Sequence, residues 1–174
     1  VSSWKQVADI SLDDVKEITV PTDEVSWLEH IAIVDTPGTN AIFCKHEKLT
    51  QNFVPRADLV LFLTSAERPL SESETKFLKK ISAWGKKVVI IVNKIDLITE
   101  PTEAEKLLTY VSQNAGKLLE TLSSIPVFGL SARLGLQAKL GGNGSEELLS
   151  DPSFNSDLVK MWKQSKLEPF ESYI

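Results

Sequence analysis

The sequence is short of the residues from which stapled and metal-built proteins are made. It has one cysteine, Cys44, and two histidines, His30 and His46, in 174 residues. A lone cysteine excludes an internal disulfide framework and any CxxC metal pair, and it suits a reducing compartment. Two histidines without partners at ligand spacing exclude a histidine-rich metal centre. Long apolar runs are lacking as well. The longest, Leu59–Leu63 and Val88–Val92, are far below the roughly 18 residues of a membrane span and are strand length. Excess positive charge is missing: 19 Lys and Arg stand against 24 Asp and Glu, a net charge of −5. That balance argues against a chain built to wrap nucleic acid and against a polybasic membrane binder. The N-terminus shows no basic, apolar, small-residue signal pattern.

What is present is ordinary globular composition, 42% apolar and 25% charged, and enough length for one core. Lys16–Val20 alternates and reads as a strand ended by Pro21. Trp27–Asp35 reads as a strand running into a Thr-Pro-Gly loop, and Lys45–Val54 as a short helix stopped at Pro55. Leu59–Thr64 and Val88–Val92 are near-continuous apolar runs, the pattern of strands buried on both faces of a parallel sheet. Between them, Ser71 and Glu74 form a capping box. Phe77, Leu78, Ile81 and Trp84 follow at helical spacing, and Gly85 supplies a stop. Thr102 and Glu105 suggest a second capping box, ahead of an apolar helical face from Leu107 to Leu122. Pro126–Leu130 is a third short apolar run, Gly141–Gly144 a loop, and Leu158, Trp162 and Phe170 mark a closing helix. Strands alternating with helices imply βαβ units and a parallel sheet. Ligands bind such sheets at the C-terminal strand ends.

Three polar strings follow apolar runs. In Asp35-Thr36-Pro37-Gly38, an aspartate at a strand end suits Mg²⁺ held through water, and the glycine admits a backbone N–H close to a terminal phosphate. The same residues also make an ordinary β-turn. In Asn93-Lys94-Ile95-Asp96, the carboxylate can accept from guanine's ring N–H and exocyclic amino group, a donor pair that adenine lacks. Lys94 can lay its stem over the base, and Asn93 can tether neighbouring loops. The plain alternative is an Asx turn beside a solvated lysine. Ser131-Ala132-Arg133 is small enough at its start for a backbone N–H to reach the base oxygen, and alone it reads equally as a turn.

In this order and spacing, the strings resemble the G3, G4 and G5 motifs of a TRAFAC-type GTPase domain. Arg133 stands where many members carry lysine. A narrower resemblance runs from Asp35-Thr36-Pro37-Gly38-Thr39-Asn40 through Phe53-Val54-Pro55-Arg56-Ala57-Asp58 to Ser65-Ala66-Glu67-Arg68-Pro69-Leu70-Ser71-Glu72-Ser73-Glu74. It is similar to the dynamin-related GTPases of the bacterial dynamin-like and mitofusin/Fzo-like group, especially the organellar Fzo-like proteins of plants and algae, and covers about Ile31 to Leu140.

The resemblance implies an α/β, three-layer, P-loop NTPase-like G domain with a mainly parallel sheet. The GxxxxGK[ST] loop that wraps phosphates is absent from the chain, and no convincing switch I threonine precedes Asp35, Thr19 and Thr22 being the candidates. The expectation is therefore a partial dynamin-type GTPase domain over residues 1–174, without the first strand and P-loop, in which Ile33 and Leu61 lose cover. The implied nucleotide-binding residues are Asp35, Thr36, Pro37, Gly38, Asn93, Lys94, Asp96, Ser131, Ala132 and Arg133. Asp35 is also implied as the Mg²⁺ contact, through water. The implied ligands are GTP or GDP with Mg²⁺. For the full-length protein the resemblance implies GTP hydrolysis, dimerisation through the nucleotide face, and membrane fusion or fission, with a chloroplast or mitochondrial membrane as the expected place. The chain itself is expected to be soluble, inactive in hydrolysis, and without a nucleic-acid partner. Thr39 and Asn40 follow Gly38 where many small GTPases place a water-orienting glutamine. Two other classes remain: a catalytically inactive GTPase-like fragment serving as a protein-interaction module, and a ribosome- or tRNA-related G protein.

Overall fold

A computed structural model describes residues 31–36, 53–120, 124–141 and 152–174. The chain divides into two compact units, Val1–Phe53 and Val54–Ile174. In the first unit, residues 31–36 carry no regular secondary structure. The strand expected over Trp27–Asp35 is thus not seen in its described part. An apolar run takes ladder geometry only against a partner strand, and Ile31, Ile33 and Val34 are all exposed, Ile33 at 81%. The expectations at Lys16–Val20, Pro37, Gly38, Thr39, Asn40, Cys44, His30, His46, Leu122 and Gly142–Gly144 lie outside the described residues, as does most of Lys45–Val54.

The second unit is built on three parallel strands in the order β1 (Leu59–Ser65), β2 (Lys87–Asn93) and β3 (Val127–Gly129). Leu59 pairs with Lys87 and Ser65 with Asn93, while Ile90 pairs with Val127 and Val92 with Gly129. This register brings the C-terminal ends of all three strands to one edge. The central strand β2 is buried from Val88 to Val92, as its unbroken β-branched run requires. β1 alternates instead. Phe62 and Thr64 are buried, whereas Leu59, Leu61 and Leu63 on the other face are exposed. Leu61 and Ile33, both expected to lack cover, are exposed.

Helix α1 (Glu72–Ala83) crosses from β1 to β2. Its capping box forms: the Glu74 carboxylate accepts the Ser71 N–H at 2.7 Å. Gly85, at φ +63, takes the left-handed conformation that ends the helix. Helix α2 (Pro101–Leu118) crosses from β2 to β3. Its N-cap is Glu100, not Thr102, because Pro101 lacks an N–H and has a fixed φ, which suit the first helical position. Val111 and Ala115 of α2 join Leu78 and Ile81 of α1 against Phe62, Val88, Ile90 and Val92, forming the core. Burying a side chain of this size contributes roughly 1.5–3 kcal/mol.

Beyond β3, the chain forms α3 (Ala132–Gly141), α4 (Pro152–Ser165) and the short α5 (Glu168–Glu171). The sequence pattern suggests no helix at α3 and places Gly141 in a loop, whereas the structure makes it the last residue of α3. Its glycines permit close approach: a Cβ on Gly135 would lie 1.9 Å from Leu167 Cδ1. Phe170 and Tyr173 meet Phe128 of β3 with ring centroids 5.7 and 5.1 Å apart. Among the described residues, no helix is long and apolar enough to cross a membrane.

Candidate functional site

The loops after β1, β2 and β3 are joined by backbone hydrogen bonds. Ala66 N–H donates to the Asn93 carbonyl at 2.9 Å, and Ile95 N–H to the Leu130 carbonyl at 3.2 Å. Ile95, in the middle loop, is buried.

Asn93 sits at the centre. Its side-chain oxygen accepts the N–H of Lys94 at 2.7 Å and that of Ala132 at 3.0 Å. The tethering role read from its position is therefore seen directly, and the tether spans 39 residues of sequence. Lys94 adopts φ 64°, ψ 31°, the left-handed region that non-glycine residues rarely enter. The bond from its N–H to Asn93, and a bond from Leu97 N–H to its carbonyl at 3.1 Å, hold it there. Such conformations persist where the surroundings over-determine them and cluster at functional sites. The Lys94 ammonium pairs with Glu67 in the β1 loop. Glu67 is held below the usual carboxylate range by the hydrogen bond and charge of Lys94, and then by the Ser65 hydroxyl.

Asp96 lies in the short turn Ile95–Leu97, and its side chain is 13% exposed. The Ser131 hydroxyl hydrogen-bonds to its carboxylate, and Arg133 Nη2 donates to Oδ2 at 2.9 Å. Against partial burial, these contacts hold the carboxyl below its ordinary value, the Ser131 hydroxyl contributing most. At neutral pH, Asp96 is an ionised, acceptor-only group. That is the state required to take two N–H donors from one edge of a base.

Ser131 is fully buried and caps α3, its Oγ accepting the Leu134 N–H at 3.3 Å. Its own N–H donates to the Ser165 carbonyl at 2.8 Å. Ser165 is also fully buried. Its hydroxyl donates to the Trp162 carbonyl at 2.6 Å and accepts the Leu167 N–H at 3.2 Å. The base of α4 is thus bolted to the third loop. Sequence reasoning did not assign Ser165 a part, and no local pattern marks it. Glu67 lies inside the Ser65–Glu74 string, and its signal in the sequence is an acidic residue two positions past a strand end.

Six of the expected residues, Asn93, Lys94, Asp96, Ser131, Ala132 and Arg133, come together in the second unit. Asp35, exposed, and Thr36, half-buried, belong to the first unit. Asp35 offers one carboxylate. Mg²⁺ commonly takes one or two carboxylates and completes its shell with water and phosphate oxygens, so this residue fits a water-mediated contact and no all-protein cage. Among the described residues, no cluster of three or more His, Cys, Asp or Glu forms a metal site.

Comparison with known proteins adds a family. The sequence model described as the dynamin family matches residues 5–96. The chain is 40% identical over 151 residues to a probable transmembrane GTPase, FZO-like and chloroplastic, of Arabidopsis thaliana, with 84% of this chain and 16% of that protein covered. It is 32% identical over 103 residues to dynamin-like protein A of Bacillus subtilis, covering 56% of this chain and 9% of that protein. Among solved structures, one of an oligomerised bacterial dynamin pair aligns with 80% of this chain and 23% of its own, at 18% identity and TM-score 0.49. The chain therefore spans less than a fifth of the length of these two curated relatives.

Proposed function

The chain belongs to the dynamin family, and from that premise we propose that it carries the guanine-reading half of a dynamin-type GTPase domain. One observation supports this most: an ionised, partly buried Asp96 is held by Ser131 and Arg133 at the same sheet edge where Asn93 ties two loops together. In this reading, the two Asp96 oxygens accept the ring N–H and exocyclic amino group of guanine. The apolar stem of Lys94 covers one face of the ring while its ammonium stays with Glu67. The N–H groups of Ser131 and Ala132 are committed to Ser165 and Asn93. The base oxygen therefore falls to the first turn of α3, where N–H groups lack intrahelical acceptors.

Asp35, Thr36, Pro37 and Gly38 are assigned to the phosphate side, Asp35 through water-bound Mg²⁺ and Gly38 through a backbone N–H. GTP supplies the phosphoryl group that the intact domain transfers to water. Residues 1–174 form a partial domain in this proposal, one that binds a base without hydrolysing GTP by itself. Hydrolysis, self-association through the nucleotide face, and the remodelling of an organellar membrane are assigned to the full-length protein.

The test is equilibrium binding of fluorescent GDP to the 174-residue chain, with ADP as control. Binding of GDP and not ADP, lost in Asp96→Ala, supports the proposal. Asp96→Asn replaces an acceptor by a donor and should move preference toward xanthosine diphosphate, whose 2-oxo group accepts. Equal binding of ADP and GDP, or a GDP affinity indifferent to Asp96, overturns it.

A further inference from the structure

The Asp96 carboxylate is not free to meet a ligand. Arg133 Nη2 donates to its Oδ2 at 2.9 Å, and the two side chains are very unequally exposed, 13% for Asp96 and 66% for Arg133. The recessed carboxylate thus shares its small solvent opening with an exposed guanidinium. The placement of Arg133 is not incidental. Ala132 is fixed to Asn93 by its N–H, and the helix that starts there is capped by Ser131, which bonds to Asp96 itself. Arg133 follows in the first turn of α3, so its reach to Asp96 is preset by the same contacts that build the loop.

We propose that Arg133 is a gate on the base site: in the ligand-free chain its guanidinium holds Asp96, and a guanine base must displace it to engage both carboxylate oxygens. This rests on the reading of Asp96 as the guanine acceptor. The Ser131 hydroxyl stays in place during the exchange, because Ser131 is buried and anchored on both sides. Arg133 is the mobile partner, being long, exposed and held at one atom. The exchange keeps Asp96 ionised and paired at every stage, by a guanidinium before binding and by two N–H donors after it. It also sets a threshold, since a base offering a single donor to Asp96 replaces the guanidinium without a net gain in hydrogen bonds. Adenine, lacking the donor pair, gains nothing from the displacement.

An ion pair open to solvent on its guanidinium side is equivalent, on the scale of surface pairs, to a factor of up to about 5 in an equilibrium constant. The experiment measures GDP and ADP binding to the full 174-residue chain, to Arg133→Met, which keeps an apolar stem without donors, and to Arg133→Ala. Carbon-detected NMR titration of the Asp96 carboxyl is run alongside. The expected result is GDP affinity about two- to fivefold tighter in both variants, a weakened bias against ADP, and an Asp96 carboxyl that titrates higher once Arg133 is gone. Unchanged or weaker GDP affinity in both variants, with binding still abolished by Asp96→Ala, overturns the gate and leaves the guanine reading standing. An Asp96 titration indifferent to Arg133 also overturns the gate, by showing that the pair does not hold in solution. No selective GDP binding by any of the three proteins overturns the guanine reading and the gate with it.

Discussion

The side-chain oxygen of Asn93, at the end of β2, accepts the backbone N–H of Ala132 at the start of α3, at 3.0 Å. The same oxygen accepts the Lys94 N–H at 2.7 Å. One carboxamide therefore sets the distance between two loops that meet only because β2 and β3 pair in parallel.

Asn93→Ala removes the single acceptor of both hydrogen bonds. Each hydrogen bond is worth about 0.5–1.5 kcal/mol net. Because both N–H groups sit where water can reach them, a total loss of about 1–2 kcal/mol is expected. GDP affinity should fall with it, as Lys94 and Asp96 lose their fixed placement against the third loop. Urea unfolding and nucleotide binding on the same variant check both parts. A variant as stable as the parent would show that Asn93 is not a tether.

Lys94 separates folding from function. Its left-handed backbone costs a non-glycine residue about 1–2 kcal/mol, so Lys94→Gly should melt at the same temperature or higher. It should nonetheless bind GDP more weakly, having lost the stem over the base. Lys94→Val, β-branched and ill-suited to φ 64°, should be less stable than the parent. Thermal melts of the three proteins give the order.

Acid should weaken the fold through Asp96. Its carboxyl is held below the ordinary value by the Ser131 hydroxyl first, with Arg133 adding a hydrogen bond and its charge. A folded-state pKa below the unfolded one contributes stability that is complete above the unfolded value and is lost as pH falls through the folded value. The contribution is thus present at neutral pH, shrinks through the ordinary carboxylate range, and is gone below the lowered folded value. Asp96→Asn should show a shallower acid limb in urea midpoints measured from about pH 7 to about pH 3. Parallel acid limbs in the two proteins would exclude this source.

Gly135→Ala tests the support beneath the third loop. The added methyl would lie 1.9 Å from Leu167 Cδ1. Overpacking of this kind costs about 1–3 kcal/mol, against a helix-propensity gain of about 0.8–1 kcal/mol for alanine over glycine. A net loss of about 1 kcal/mol is expected. The shift of Leu167 should loosen the Ser165–Ser131 bond and so weaken GDP binding slightly. A neutral or stabilised variant would mean that Leu167 rotates away freely.

Much of the second unit was legible because its signals are local. Val88–Val92 is apolar without a break, and its burial on both faces follows from that alone. Ser71 and Glu74 cap α1 as their spacing requires. The strings at residues 93–96 and 131–133 meet because parallel pairing leaves strand ends on one edge. What was not legible depends on register across long separations. The Arg133–Asp96 pair joins residues 37 positions apart, and the Lys94–Glu67 pair joins residues 27 apart. Neither has a local signature. The Thr102 cap was misread because proline's fixed φ at position 101 outweighs a favourable side chain one position later. The run at 31–34 looked like a strand because apolar spacing reports the wish for burial, not the presence of a partner to pair with. Helix α3 was missed because Gly135 and Gly141 lower its intrinsic propensity, while its packing on Leu158 and Leu167 is invisible locally.

The pairing of Leu59 with Lys87 has a consequence for synthesis. A hairpin can close as soon as its second arm is made, but β1 cannot take β2 as its partner until α1 and then β2 have been translated. At about 5–20 residues per second, that leaves the strand waiting on the order of 1–6 s, with Leu59, Leu61 and Leu63 on a face that the finished second unit still leaves open. The interval in which a nascent chain is vulnerable to holdase capture, or to sticking to its neighbours on a polysome, is therefore written into the sheet order itself. A synonymous change that slows decoding between residues 66 and 86 would lengthen that interval without altering a single atom of the folded protein.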